Sequence, residues 1–347
     1  MRHLACGILL ATTVMAGLCS ADAKDGRFDI YWIDVEGGAA TLMVTPQNEC
    51  VLIDSGNPGR RDPDRIAQVV TKVAGLRRVD HLITTHYHGD HYGGASVLAT
   101  MLPIGTVYDN GKFDEMPDNP GQAYYEFKCQ QRVVVKPGDE LSLKQSKDLN
   151  SPMLKMTCLG TRRKFIAASD DAPTNTEVCA THRSKDRDGS DNANSVVTLI
   201  EFGPFRFYDA GDLTWNQEYK LVCPKNLVGD VDVYQVTHHG LDSSNNPILL
   251  QTIQPTVAIM NNGVTKGCKP DVFANLKATK SIQALYQMHK NLRPDGAVNN
   301  APDEYIANTE KNCKGHYVKL SVAADGQSYV VSIPAHDHSR EFKTKKR

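Results

Sequence analysis

The stretch Thr85-His86-Tyr87-His88-Gly89-Asp90-His91 has the pattern His-x-His-x-Asp-His and guides the interpretation of the whole chain. It follows Val79–Thr84, a short apolar and β-branched run that predicts a buried strand. Neutral imidazoles and carboxylates are the ligands that zinc and similar divalent metals prefer. Three histidines and an aspartate at the end of a strand therefore predict a metal site. Its expected ligands are His86, His88, Asp90 and His91.

This motif resembles the signature of the metallo-β-lactamase superfamily. The resemblance implies an α/β fold, a four-layer αββα sandwich, with further motifs upstream and downstream. Val51-Leu52-Ile53-Asp54-Ser55-Gly56 is similar to the first motif of the superfamily, whose aspartate, here Asp54, supports the metal loop by hydrogen bonding. Ala210-Gly211-Asp212 is similar to the motif whose aspartate bridges two metals. Thr237-His238-His239-Gly240 is similar to the last ligand motif.

Within the superfamily, the chain resembles the ComEC-type extracellular metallo-hydrolase domain and related secreted enzymes such as phosphorylcholine esterases. Asn194-Ser195 opens a predicted strand, Gly211-Asp212 follows it, and the His-His-Gly sequence is followed by Ser243-Ser244. This similarity extends roughly from Asp29 to Pro270. It implies a supporting or substrate-binding role for Asn194 and Ser195.

The resemblance implies a site for two metal ions, which we expect to be Zn²⁺, with Mn²⁺ as the alternative. His86 and His88 are expected to bind one ion. Asp90 and His91 are expected to bind the other ion, and Asp212 is expected to bridge the two.

One of His238 and His239 is expected to complete the second metal site, and the sequence leaves open which one. The remaining histidine would face the substrate, where it can hydrogen-bond a phosphoryl oxygen or protonate a leaving group. Asp90 is expected at the metal-bound water. Asp90, His238 and His239 are therefore the expected catalytic residues.

The chain departs from the family pattern in two places. Many members have a third histidine on the first metal, but between Tyr92 and Thr237 the only histidine is His182, in a charged, irregular stretch. The residues that could replace it are Asp191, Asn192 and Asn194, and one ion could bind weakly. The late His-Pro pair of the family is replaced by Lys269-Pro270, whose ammonium would suit an anionic substrate.

The expected reaction is hydrolysis of a phosphodiester, in a small or a polymeric substrate, by a hydroxide that bridges the two metals. The resemblance carries this choice, since one fold supports many reactions. The alternatives are hydrolysis of a carboxyl ester, lactone or β-lactam, and a non-catalytic metal-binding or scaffolding protein. The formal net charge is −1. A basic surface for nucleic acid is therefore not expected, and nucleic acid would bind as a substrate only.

The order of segments predicts an exported protein with one large domain. Arg2, an apolar run to Leu18 and Ala21-Asp22-Ala23 are typical of a signal peptide over residues 1–23, cleaved after Ala23. The run of about 15 residues is shorter than the roughly 20 needed to span a bilayer, so we expect a secreted or periplasmic protein without stable membrane insertion. The hydrolase domain is expected over residues 24–334, with an irregular insertion at about 145–192 and a frayed polar tail at 335–347.

Two further expectations concern the second half of the chain. Helical spacing of apolar residues predicts a final helix over roughly Val272–His289. An oxidising compartment permits disulfides, and the loops of polar sequence suggest Cys158 with Cys179 and Cys268 with Cys313.

Overall fold

A computed structural model describes residues 25–347 of the chain. The predicted signal peptide at residues 1–23 lies outside the described residues, so cleavage and export stay predictions. Among the residues that are described, no helix is long and apolar enough to cross a membrane.

The first half of the chain alternates strands and helices. Its strands are β1 (Phe28–Trp32), β2 (Thr41–Val44), β3 (Cys50–Ile53), β4 (Val79–Ile83), β5 (Ile104–Asp109) and β6 (Gln131–Val134). Its helices are α1 (Arg61–Gln68), which continues as the π-helical segment Val69–Val73, then α2 (Gly89–Tyr92), α3 (Ala95–Met101) and α4 (Gln122–Glu126).

The second half repeats this alternation and then ends in a meander. Its strands are β7 (Leu154–Thr161), β8 (Lys164–Phe165), β9 (Val197–Phe202), β10 (Phe205–Asp209), β11 (Val233–Gln235), β12 (Val257–Met260), β13 (Ala284–His289), β14 (Ile306–Asn308), β15 (Val318–Val322), β16 (Ser328–Ile333) and β17 (His338–Lys343). Its helices are α5 (Thr176–Cys179), α6 (Trp215–Val222), α7 (Pro247–Ile253) and α8 (Pro270–Ala278). Short 3₁₀ turns lie at Asp191–Asn194, Thr237–Gly240, Pro294–Ala297, Asp303–Tyr305 and Pro334–His336.

The strands form two large mixed sheets. The first has the order β17-β16-β15-β1-β2-β3-β4-β5-β6, and the second has the order β14-β13-β12-β11-β10-β9-β7-β8. Strands β3 to β6 run parallel, as do β10 to β14. Parallel neighbours need crossover connections, and most of the helices lie in those connections and cover the outer faces of the sheets.

Alternating side chains of each strand enter different hydrophobic layers. Ile30 and Trp32 of β1 point between the sheets, where they join Phe205 and Phe207 of β10. Tyr31, between them in sequence, faces the outer layer beneath α1 and α3. A third cluster joins the second sheet to α6, α7 and α8. The order helix, sheet, sheet, helix confirms the predicted four-layer αββα sandwich.

Parallel strands place the predicted motifs at one edge of the sandwich. Asp54 follows β3, and residues 85–91 follow β4. Asp212 follows β10, and His238 and His239 follow β11. Because the carboxyl ends of parallel strands meet at the same edge, residues far apart in sequence converge there.

The segment at 145–192 was predicted to be an irregular insertion, and this was wrong for residues 154–161. β7 lies inside it and pairs antiparallel with β9 over most of its length. Met156 and Cys158 of β7 point into the core between the sheets, whereas Leu159 joins the outer layer. The charged residues that dominate the rest of the segment obscured this short strand.

The prediction of a frayed tail at residues 335–347 was also wrong. β17 pairs antiparallel with β16. Lys343 lies opposite Ser328 at one end and His338 lies opposite Ile333 at the other, and Phe342 is buried against Tyr329. Exposure alternates along β17, with Ser339, Glu341 and Lys343 exposed, which fits an edge strand with one solvated face.

The predicted helix over Val272–His289 ends early. α8 stops at Ala278, and β13 begins at Ala284. Ala284, Tyr286 and Met288 point into the core at every second residue, as in a strand. The prediction from helical spacing missed this pattern.

The suggested disulfides were wrong as well. Cys179 at the end of α5 bonds to Cys223. Cys158 points between the sheets and Cys179 packs on the outer face of the second sheet, so these two thiols lie on opposite sides. Cys268 and Cys313 are free thiols.

Candidate metal centre

Buried carboxylates hold the loop of residues 85–91 in place where it leaves β4. Asp54 accepts hydrogen bonds from the backbone N–H of Thr85 at 2.8 Å and from its hydroxyl at 2.7 Å. Asp191 accepts from the backbone N–H of Tyr87 at 2.6 Å. These bonds fix the directions in which the intervening side chains leave the loop.

Four potential ligand atoms from three separate loops meet at one point. His91 Nε2 lies 3.2 Å from His239 Nε2, 3.2 Å from Asp212 Oδ2 and 3.5 Å from Asp90 Oδ2. His239 Nε2 lies 3.2 Å from each of the same two carboxylate oxygens. A tetrahedral zinc site with bonds of about 2.0–2.1 Å has ligand-to-ligand edges of about 3.3 Å. These four atoms therefore have the spacing of a tetrahedral ligand set.

Hydrogen bonding on the far side of each ring supports a cation at this point. His91 Nδ1 donates to Asp54 Oδ2 at 2.6 Å, and His239 Nδ1 donates to the carbonyl oxygen of Asn261 at 3.3 Å. The two Nε2 atoms then face each other across 3.2 Å. A divalent ion at this point would have both nitrogens within reach as ligands.

The charges in the cluster also favour a bound cation. Burial alone would lower the pKa of His91, but Asp212, Asp54 and Asp90 together raise it well above the usual range. Burial would raise the pKa of Asp212, but His239, His91 and His238 hold it well below the usual range. Ionised carboxylates buried among imidazoles form a site that attracts a cation.

A second group of nitrogens lies beside the first. His86 is fully buried, and its Nε2 has no hydrogen-bond partner among the described residues. That atom lies 4.0 Å from Asp212 Oδ2. Burial, and then the neighbouring His91, lower the pKa of His86 well below its usual range, so the ring is neutral. His88 lies next to it, with ring centroids 4.7 Å apart.

The two late histidines occupy different positions. His239 belongs to the group of four atoms, whereas His238 lies outside it, with Nε2 3.5 Å from Asp212 Oδ2. His238 Nδ1 lies 3.0 Å from the hydroxyl of Ser243 and 3.1 Å from that of Ser244. Both histidines have left-handed backbone angles, with φ of 56° and 55°. This strained conformation of non-glycine residues is typical of functional sites.

The supporting residues suggested by the sequence differ in what they contact. Ser195 Oγ accepts a hydrogen bond from the backbone N–H of Asp212 at 3.2 Å, so it helps to position Asp212. The side chain of Asn194 instead contacts Asp191 at 2.9 Å and Arg163 at 3.2 Å. Asn194 therefore supports the neighbouring loop.

Of the residues that could replace the missing third histidine, Asp191 and Asn192 differ in their hydrogen-bond partners. Both oxygens of Asp191 accept hydrogen bonds, one from Tyr87 and one from Asn194. Asn192 is different, because its Oδ1 is buried without a partner among the described residues and its Nδ2 lies 3.3 Å from His238 Nε2. Asn192 therefore lies beside His238.

The lysine suggested by the sequence is not the one that reaches the cluster. Lys269 precedes α8, and its backbone N–H donates to the carbonyl oxygen of Gly240. Lys266 Nζ contacts Asp90 Oδ2 instead. Lys266 lies on the loop after β12, at the same carboxyl edge as the other motifs, and this position was the signal that could have identified it.

Sequence comparison agrees with this geometry. Residues 33–147 match the metallo-β-lactamase superfamily. This part of the chain therefore has the sequence pattern of a metallo-β-lactamase domain. The matched region includes β2 to β6 and contains the His-x-His-x-Asp-His motif. The match agrees with the cluster of Asp90, His91, Asp212 and His239, whose ligand atoms lie close enough to hold a metal ion.

Longer but more distant similarities extend over most of the chain. ComE operon protein 3 of Bacillus subtilis is 26% identical over 279 residues, which is 73% of this chain and 31% of that protein. Recombination protein 2 of Haemophilus influenzae is 24% identical over 264 residues, 74% of this chain and 26% of that protein. The resemblance to the ComEC-type domain is thereby confirmed.

A shorter match has a higher sequence identity. A metal-dependent hydrolase of Cupriavidus metallidurans is 36% identical over 82 residues, 23% of this chain and 25% of that protein. The chain thus spans about a quarter to a third of the length of these relatives.

Proposed function

We propose that this protein is an exported hydrolase that binds two zinc ions and cleaves phosphodiesters. The observation that carries the proposal is the position of Asp212. Its Oδ2 lies 3.2 Å from both His91 Nε2 and His239 Nε2, and 4.0 Å from His86 Nε2. A carboxylate oxygen between two sets of imidazoles fits a ligand that is shared by two ions.

Two divalent ions would supply an activated water at this site and would stabilise the charge that develops on oxygens at phosphorus. Residues of this chain would hold them. His91, His239 and Asp90 would hold one ion, His86 and His88 the other, and Asp212 both. The buried imidazole and carboxylate donors suit zinc, with Mn²⁺ as the alternative.

Two side chains around the cluster suit an anionic substrate. Lys266 is 39% exposed at its side chain and brings an ammonium to the Asp90 side of the cluster. His238 lies on the other side, and burial lowers its pKa to about 4. A neutral imidazole with Nε2 directed into the site can hydrogen-bond a phosphoryl oxygen or take part in proton transfer.

Export is part of the proposal. The predicted signal peptide over residues 1–23 supports it, and so does the disulfide between Cys179 and Cys223, because disulfides persist mainly in oxidising compartments. Mass spectrometry of exported protein should find a chain that begins at Lys24. An intact chain from Met1 in the exported fraction would refute the cleavage.

A substrate panel tests the reaction. The metal-loaded protein is assayed with bis(p-nitrophenyl) phosphate, p-nitrophenyl phosphate, a lactone and nitrocefin. We expect diester hydrolysis that chelation abolishes and that added Zn²⁺ or Mn²⁺ restores. Turnover of nitrocefin or the lactone, with the diester inert, would refute the reaction and favour the carboxyl ester, lactone or β-lactam alternative.

A pair of variants connects that activity to the site. Asp212→Asn should abolish turnover, because it removes a negative charge that both ions would share. Glu341→Gln removes a charge from the exposed edge strand β17 and should leave activity unchanged. Absence of turnover on every substrate by metal-loaded wild-type protein would favour the non-catalytic metal-binding alternative.

A further inference from the structure

We propose that the cavity beside Lys266 binds a second anionic group of the substrate, a carboxylate or a phosphate separate from the ester that is cleaved. This inference rests on the phosphodiesterase function proposed above and names the class of diester that the site would take. The cavity has a volume of about 630 Å³, and Glu36, Lys266, Lys311 and Cys313 are among its lining residues. Ligand pockets typically have volumes of roughly 300–1,000 Å³, so this cavity has room for an organic group and not only for an ion.

The walls of the cavity come from the same edge of the sandwich as the metal cluster. Glu36 follows β1, Lys266 follows β12, and residues 311–313 follow β14. β1 runs in the same direction as β3, because each pairs antiparallel with β2, and β12 to β14 are parallel. All three loops therefore lie at the carboxyl ends of their strands, where α/β sheets bind ligands.

The cavity borders the metal cluster directly. Lys266 lines the cavity and also contacts Asp90 Oδ2, which belongs to the cluster. The turn that carries Glu36 touches the cluster as well, because a Cβ added at Gly38 would lie only 2.4 Å from the carbonyl oxygen of Asp90. A substrate bound at the cluster therefore has a path past Lys266 into the cavity.

The loop that carries Lys266 is held in place from behind. The guanidinium of Arg293 donates hydrogen bonds of 2.8 to 2.9 Å to three carbonyl oxygens of this loop, those of Thr265, Gly267 and Cys268. Binding a ligand to a loop that is already fixed costs less conformational entropy than ordering a mobile one. Lys266 is therefore presented to the cavity by a preorganised loop.

The charges of the lining suit an anion. The lining has two ammonium groups, those of Lys266 and Lys311, and one carboxylate, that of Glu36. Arg61 lies 2.8 Å and Arg65 lies 3.3 Å from this carboxylate, so its charge is neutralised. Lys311 is exposed, and no carboxylate among residues 25–347 forms an ion pair with it. The ammonium of Lys311 is therefore the group that an anionic substituent would contact.

The wall around Cys313 does not favour a metal ion. Cys313, Asp34 and His289 carry ligand atoms that are close enough to hold one. Arg65 already pairs with Asp34 at 2.8 Å, and its other terminal nitrogen lies 3.7 Å from the sulfur of Cys313. A cation bound by these three residues would lie beside the guanidinium and be repelled by it. This group therefore does not make the cavity a cation site.

Charge-selective labelling tests the anion preference without any turnover. Metal-loaded protein is treated at low ionic strength with two methanethiosulfonates of similar size, one carrying a sulfonate and the other a quaternary ammonium. Modification of Cys313 is followed by peptide mass spectrometry. The ratio of the anionic to the cationic rate should be about threefold or more higher in wild type than in Lys311→Gln, because a charged cleft concentrates counter-ions.

Lys314→Gln is the matched control for the labelling. Lys314 is exposed on the same loop and is not among the lining residues, so this variant should keep the wild-type ratio. The same ratio in wild type and Lys311→Gln would refute the anion subsite.

A set of matched diesters connects the subsite to the reaction. The carboxyethyl and hydroxypropyl esters of p-nitrophenyl phosphate differ by one negative charge, and the phosphoethyl ester replaces the carboxylate by a phosphate. We expect a lower KM for the two esters with a second anionic group than for the hydroxypropyl ester. Lys311→Gln should reduce this preference about fivefold, and Lys314→Gln should retain it. The anionic ester with the lower KM identifies the preferred group as a carboxylate or a phosphate.

The two experiments separate failure of the subsite from failure of the proposed function. Equal KM values for all three esters would refute the subsite and leave phosphodiester hydrolysis standing. Absence of turnover on all three esters, with the labelling preference for the anionic reagent intact, would refute the proposed function and leave the anion site standing.

Discussion

Asp54 and His91 form a short buried pair in which Nδ1 of the imidazole donates to Oδ2 of the carboxylate across 2.6 Å. The same carboxylate accepts from the hydroxyl of Thr85 at 2.7 Å. This arrangement fixes the tautomer and the orientation of His91, so its Nε2 points at the space shared with His239. A partner of this kind normally strengthens metal binding without touching the metal.

We therefore expect Asp54→Asn to weaken metal binding by about 10–100-fold, because an amide N–H would face the N–H of His91. Titration of the metal-free protein with Zn²⁺ against a chelating competitor measures this change. Asp80→Asn is the control, since Asp80 accepts from the backbone N–H of Cys50 at the other end of β4. Equal losses of affinity in both variants would mean that Asp54 acts only through stability.

Lys266 should select for negative charge on the substrate. We expect Lys266→Ala to raise KM severalfold for an anionic phosphodiester and to leave KM for a neutral lactone unchanged, because only the anion gains from the ammonium. Lys269→Ala is the control, since the side chain of Lys269 makes no ion pair within the described part of the chain. If KM rose equally for both substrates, Lys266 would serve packing or the placement of Asp90.

Metal removal should destabilise the folded protein. Without an ion, Asp90 and Asp212 remain buried beside each other near His91 and His239. A ligand present at 1,000 times its Kd stabilises a fold by about 4 kcal/mol, so the melting temperature should fall by several degrees in chelator and recover with Zn²⁺. Asp212→Ala should show a much smaller shift in differential scanning calorimetry. An unchanged melting temperature in wild-type protein would contradict tight binding.

The parts of the site that the sequence predicted are local patterns. The spacing of His86, His88, Asp90 and His91 is visible within seven residues, and hydrophobic runs marked the strand before each motif. Because parallel strands end at the same edge, the convergence of Asp54, Asp212 and the late histidines followed from the fold class. The choice between His238 and His239 did not follow, since it depends on two left-handed backbone conformations in a row.

The parts that the sequence missed depend on the paths of loops. Lys266 reaches the cluster from a loop that no short pattern marks, and its contact with Asp90 forms only when the two halves of the sandwich pack together. β7 and the Cys179–Cys223 disulfide were missed for a related reason, because local polarity dominated the pattern while long-range packing decided the structure.

Glu218 on α6 should make stability depend on pH. Burial raises its pKa from 4.5 to about 7, even though the backbone N–H groups of Asn246 and Asn245 act in the opposite direction. Between these two pH values the folded state binds more protons than the unfolded state, so the contribution of this group to stability is lost as pH rises towards 7.

Glu218→Gln removes the titration. In urea unfolding of chelated protein, the free energy of unfolding of wild type relative to the variant should fall by roughly 3 kcal/mol from pH 4.5 to pH 8. Glu177→Gln on the exposed face of α5 should show no such change, and a gap between wild type and Glu218→Gln that stays constant with pH would contradict the assignment.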